Sequence, residues 1–146
     1  MNTRVIVASI AGGAAFFIFG GLIYGLLLDP MVMKPNMIEY NGLVKDPPAW
    51  IPLIVANIVQ AFFLAYIFDK WAGIRAWSTG ASAGAIIMFL IALTMQLFFA
   101  AFMNLTKNFT PALADIVGST VLGAIGGAVI GLVLGFMSKD SATAAA

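Results

Sequence analysis

The sequence contains no cysteine and no histidine among its 146 residues. That excludes disulfides, thiol nucleophiles, imidazole bases, axial haem histidines and the usual zinc sites. Charge is equally scarce. Asp, Glu, Lys and Arg make up 9% of the chain, against about 25% in soluble domains. Too few charges are present to cover a water-facing surface. The net charge of +1 gives nothing for a nucleic acid to bind. No GxSxG, P-loop, HExxH or CxxC motif occurs. The acidic residues are Asp29, Glu39, Asp46, Asp69, Asp115 and Asp140. No spacing among them fixes the carboxylate pair that a hydrolase needs. Neither an enzyme nor a cofactor is expected.

What is present is apolar. Hydrophobic residues make up 62% of the chain, and the mean hydropathy is +1.05. Four runs are long enough to cross a bilayer, at roughly 1.5 Å per helical residue against a hydrocarbon core of about 30 Å. They span about 4–28, 50–68, 78–103 and 111–137. The first follows Arg4 and outlasts a typical signal-peptide core, with no small-x-small cleavage site after it, so it reads as an uncleaved span. Asp29-Pro30 is expected to end it. The connection 29–49 carries Pro30, Pro35, Pro47 and Pro48. It suits either an ordered cap on the bundle or a short interfacial helix. The other connections are short. Trp50, Trp71 and Trp77 all fall at predicted helix ends, as anchors at the headgroup level do. Thr110-Pro111 reads as an N-cap followed by proline in the first turn. The sequons at Asn104 and Asn108 read as ordinary turn residues. A frayed tail is expected from Ser138 onward.

The fold expected is therefore all-α: a single-domain, four-span transmembrane bundle, up-down and antiparallel, closely packed through small residues. Its main device is the last span, where Gly123, Gly127, Gly131 and Gly135 recur every fourth residue in tandem GxxxG units. Interior glycines cost roughly 1 kcal/mol each in a water-soluble helix, but in lipid they open a groove for another backbone. Gly13, Gly21 and Gly25 in the first span, and Gly80 and Gly84 in the third, supply further packing positions. Whether the long row meets the chain's own helices or a partner is open at this level.

Polar residues inside spans are the default functional candidates. Counting along each helix from the end nearer the 29–49 loop, Tyr24 and Asp115 lie about 6 Å deep, Asn57 and Gln96 about 10 Å, and Ser119 about 12 Å. Gln60 is one turn from Asn57. This group forms a candidate polar cluster in one slab, with Asp115 as its only charge and no basic residue inside any span. Asp115 also sits in the first turns of its helix, where the macrodipole favours an anion. Interhelical hydrogen bonding alone would account for the same residues.

The segment Gly20-Gly21-Leu22-Ile23-Tyr24-Gly25, the proline-containing loop, three further spans and a glycine-rich last helix together resemble a bacterial family of small four-helix integral membrane proteins of unassigned function. Ile23 stands where that family usually has tryptophan. The resemblance implies topology but no activity.

Three functions fit. The first is a non-enzymatic integral membrane protein acting by packing, as an accessory or assembly subunit or a homo-oligomer. Its partners are then lipid and another chain or itself. The second is a small transporter or channel for a cation, proton or small polar solute, using the cluster around Asp115. The third is a lipid- or apolar-ligand-binding protein. Basic residues number four on the terminal side (Arg4, Lys70, Arg75, Lys139) and three on the other (Lys34, Lys45, Lys107). That places both termini on the cytoplasmic side, and the resemblance implies a bacterial inner membrane.

Overall fold

A computed structural model describes the backbone of residues 2–143 and the side chains of residues 2–138. Four helices, each long and apolar enough to cross a membrane, account for almost all of it. We number them α1 (Thr3–Asn36), α2 (Trp50–Ala72), α3 (Trp77–Phe102) and α4 (Thr110–Thr143). The described residues contain no strand, only an isolated bridge between Met37 and Thr106.

Two helices outlast their expected ends. α4 continues past Met137 to Thr143, so a frayed tail does not begin at Ser138; the final residues 144–146 lie outside the described part. α1 does not stop at Asp29-Pro30. From Gly21 to Met33 it is wound as a π-helix, with Pro30 inside. An α-helical Pro30 would press its ring on the carbonyl four residues back and leave that carbonyl without a donor. Bonds to the fifth residue back, such as Lys34 N–H to Asp29 C=O, rearrange this pairing. π-turns usually occur singly and often at functional sites; this run covers 13 residues. Residues 37–49 form no separate helix, while 29–36 of the expected connection continue α1.

Contacts between helices run in opposite chain directions. Phe17 meets Trp50, whereas Gly13 faces Ile58 and Gly12 faces Ala61. Tyr24 meets Asp115, and Arg4 Nη1 donates to Ser138 Oγ at 3.2 Å. Gly84 faces Gly123 and Gly80 faces Gly127. α1 is thus antiparallel to α2 and to α4, and α3 is antiparallel to α4. α2 and α3, although joined by a short turn, do not pack along their lengths. The lateral order is α2, α1, α4, α3, with the first and last helices in the middle. Burial follows this order: 44% of the most apolar window of α4 is buried, and only 6% of that of α3.

α4 serves both sides because it carries two distinct rows of residues. Leu122, Gly126, Ile130 and Leu134 are buried toward α1. Gly123, Gly127, Gly131 and Gly135 face α3 and the turn before it. Adjacent residues point about 100° apart on an α-helix, so one row lies beside the other. A Cβ built on Gly84 would lie 2.9 Å from Gly127 Cα, and one on Gly131 would lie 3.2 Å from Gly80 Cα. The helices approach at distances only glycine allows. The long row therefore meets the chain's own third span.

Gly13 is also tight, with its built Cβ 3.1 Å from Ile58 Cα, but Gly21 and Gly25 have no neighbour within 4 Å. The packing role expected for those two does not hold. They sit in the π-helical stretch, where a groove separates this part of α1 from α2.

The core lies toward the end bearing the chain termini, with Val5, Phe16, Leu64, Phe68, Ile130 and Leu134 almost fully buried. The turn at that end is tied by Arg75, whose Nη2 is 2.7 Å from Asp69 Oδ1. At the opposite end the packing opens, and the polar residues are found there.

Candidate functional site

Asp115 is on the second turn of α4, half-buried, and its two oxygens are held from two other helices. Tyr24 Oη on α1 donates to Oδ1 at 3.0 Å. Gln96 Nε2 on α3 donates to Oδ2 at 2.7 Å. Tyr24 Oη is also 2.8 Å from Ser119 Oγ, one turn along α4. One donor on each oxygen suits the acceptor-only character of a carboxylate. A carboxylate accepts about four hydrogen bonds, so the group keeps capacity for a ligand. Among the described residues no ion pair involves Asp115.

Gly118 leaves room for the Leu28 and Tyr24 side chains against α4. A Cβ there would lie 3.3 Å from Tyr24 Oη and 3.4 Å from Tyr24 Cζ, pressing the ring away from α4. Its spacing to Gly126 on the α1-facing row was the available sequence signal, obscured by the longer row beside it.

The cluster forms part of the wall of a cavity of about 320 Å³, lined by Tyr24, Asp29, Gln96 and Asp115 together with Met33, Met37, Phe99, Met103, Leu105 and Phe109, among others. Asp29 was not expected here. It enters because α1 continues as a helix beyond Leu28. Lys34 Nζ lies 3.9 Å from Asp29 Oδ2, with both side chains well exposed. That leaves Asp115 as the acidic group in the wall without a basic partner.

The roof is built by the two loops at this end. Ile38 N–H donates to Leu105 C=O at 2.9 Å and Lys107 N–H to Asn36 C=O at 2.8 Å. Asn108 Nδ2 donates to Asn36 Oδ1 at 2.8 Å, and Tyr40 Oη to Asn104 C=O at 2.6 Å. Asn104 and Asn108 thus act as turn residues. Asn108 Oδ1 also accepts from Thr110 N–H at 3.0 Å, so Asn108 supplies the side-chain bond at the start of α4 that Thr110 was expected to make.

The structure brings together Tyr24, Gln96, Asp115 and Ser119 and leaves out two expected members. Asn57 Nδ2 donates to Leu53 C=O on its own helix at 2.7 Å, and Gln60 Nε2 is buried without a hydrogen-bond partner. Both are on α2, which packs mainly against α1, so equal depth did not mean contact. Asn57 instead borders a second recess of about 780 Å³ between α1 and α2, lined also by Phe16, Phe17, Gly21, Gly25, Trp50 and Leu53. Tyr24 and Asp29 line both spaces.

Comparison with family models, curated proteins and solved structures gives no match to this chain. Among the described residues no three acidic side chains gather as metal ligands. One unpaired carboxylate beside an amide, a phenol and apolar walls suits a single positive charge, or a proton carried on the carboxyl group.

Trp50, Trp71 and Trp77 stand at helix ends and are 56%, 75% and 62% exposed. Trp50 meets Phe17 edge to face, with centroids 6.5 Å apart.

Proposed function

We propose that this chain is a non-enzymatic, four-span integral membrane protein that binds a small cation at Asp115 and passes it through the capped end of the bundle, as a small transporter or channel. The observation that carries the reading is the convergence of Tyr24 and Gln96 on Asp115 in the wall of a cavity, with Ser119 bonded to the Tyr24 hydroxyl. Interhelical glue needs no such space. A carboxyl group retained at membrane depth without a basic partner is a costly feature and is explained if a transient cation or proton is its partner. The exposed tryptophans at helix ends and the apolar outer faces of α2 and α3 support membrane insertion. Both termini then share a side, cytoplasmic by the slight excess of basic residues there.

The packing reading, as an accessory subunit or homo-oligomer, is favoured by one observation: only 6% of the most apolar window of α3 is buried. A partner would have to use that bulky face, because the glycine row already faces α3. Purification in mild detergent tests this alternative, since a stoichiometric companion chain supports it and a lone chain opposes it. For the leading proposal, the test is flux of a monovalent cation or protons into proteoliposomes. Asp115→Asn should abolish flux with the fold intact by circular dichroism. Wild-type flux in Asp115→Asn liposomes would refute the proposal.

A further inference from the structure

We infer that the ligand is an amphiphilic organic cation, with its charged end at Asp115 and its apolar body in the recess between α1 and α2. This inference rests on the cation-site reading above and specifies the ligand class. The recess holds about 780 Å³, within the range of pockets that enclose drug-sized molecules. A bare ion or a proton has no use for it. The two spaces meet at Tyr24 and Asp29, which line both. In this inference the head lies on the Asp115 side of Tyr24 and the body on the recess side.

The walls match such a body. Phe17 and Trp50 form an edge-to-face pair at one side, and aromatic faces attract organic cations as well as apolar groups. Methionines line the head-end cavity at Met33, Met37 and Met103. Their unbranched, polarizable side chains adapt to varied shapes. Gly21 and Gly25 border the recess with no neighbour within 4 Å of a built Cβ. Elsewhere in the bundle Gly12, Gly13, Gly80, Gly84 and the α4 row are each explained by a packed neighbour. These two are explained by the room they leave. They also allow a test, because a Cβ added there meets no protein atom within 4 Å and the added side chain extends into the recess.

The experiment uses the full chain in lipid nanodiscs, with Trp71→Phe and Trp77→Phe introduced so that Trp50 alone reports binding by fluorescence. The probes are tetramethylammonium, phenylbutyl-trimethylammonium and uncharged phenylbutanol, with tetramethylammonium also followed by radiolabel. Filling the recess with Gly21→Leu or Gly25→Leu should weaken phenylbutyl-trimethylammonium by about tenfold or more while changing tetramethylammonium by less than about twofold. Asp115→Asn should remove both cations, and phenylbutanol should not bind saturably. If Asp115→Asn leaves both cations bound, the cation site and this inference fall together. If Asp115→Asn removes both cations but the leucine variants leave phenylbutyl-trimethylammonium unchanged, or weaken both cations alike, this inference falls and the cation site stands. Saturable phenylbutanol binding as tight as that of the charged probe would overturn the inference in favour of a neutral lipid-like occupant.

Discussion

Alanine at Gly127 and alanine at Gly20 make the same chemical change in two helices but meet different surroundings. At Gly127 the new Cβ would press on the Gly80 carbonyl oxygen and lie 3.0 Å from Gly84 Cα. These are backbone atoms of α3 and cannot rotate away, so the helices must move apart along their closest contact. At Gly20 the nearest atom is Leu122 Cδ2 at 3.5 Å, an ordinary van der Waals contact at a flexible tip. Both substitutions gain about 1 kcal/mol of helix propensity, which cancels in the comparison. What remains is the overpacking cost at Gly127, about 1–3 kcal/mol. The rigid neighbours argue for the upper part of that range. Gly127→Ala should therefore be less stable than Gly20→Ala by roughly 2–3 kcal/mol. Reversible unfolding in mixed micelles with increasing dodecyl sulfate, followed by far-ultraviolet circular dichroism, measures the difference. Equal stability within about 0.5 kcal/mol would refute close backbone packing of α3 on α4.

Four further outcomes follow from the geometry. Tyr24→Phe removes the phenol between α1 and α4 and should lower stability by only about 0.6 kcal/mol, the typical value for an interhelical hydrogen bond in a membrane protein; the same unfolding titration checks it, and a loss several times larger would mean the cluster is structural. Arg75→Met strips the main partner from Asp69, whose side chain is 4% exposed. It should destabilise by on the order of 2 kcal/mol, less than a fully broken buried pair because Lys70 remains nearby. Lys34→Met, at an exposed pair, should change stability by less than about 0.5 kcal/mol, and a ranking opposite to this would contradict the burial. Tyr40→Phe removes one tie of the roof, worth about 1 kcal/mol, and should speed amide hydrogen exchange of residues 103–109 about fivefold; unchanged exchange would mean the roof is held elsewhere.

The sequence made the helices legible because a run of apolar residues needs no partner to be recognised. Their lateral order was not legible. Tyr24, Gln96, Asp115 and Ser119 were grouped by depth alone, and they do meet, because α1 and α3 both flank α4. Asn57 and Gln60 share that depth but belong to α2, on the far side of α1, and depth carries no information about angle. The expected helix end at Asp29-Pro30 assumed α-helical hydrogen bonding, in which proline is disruptive. A π-helical stretch absorbs it, and nothing in the local spacing announced that winding. Gly21 and Gly25 looked like packing positions because spacing cannot tell a glycine that admits a neighbour from one that leaves a space. The roof was unreadable because it depends on two loops about 70 residues apart, joined in part through backbone groups that every sequence has.

The central claim is that Asp115 is a cation site, and the carboxyl carbon of that residue reports on it directly. With aspartate side-chain carboxyls isotope-labelled in bilayer-embedded protein, the Asp115 resonance can be assigned from its absence in Asp115→Asn. Titration with tetramethylammonium should shift that resonance saturably, with one cation bound per chain, while the exposed Asp46 resonance moves no more than ionic strength alone requires. An Asp115 resonance that stays fixed while the exposed carboxyls respond would contradict the account.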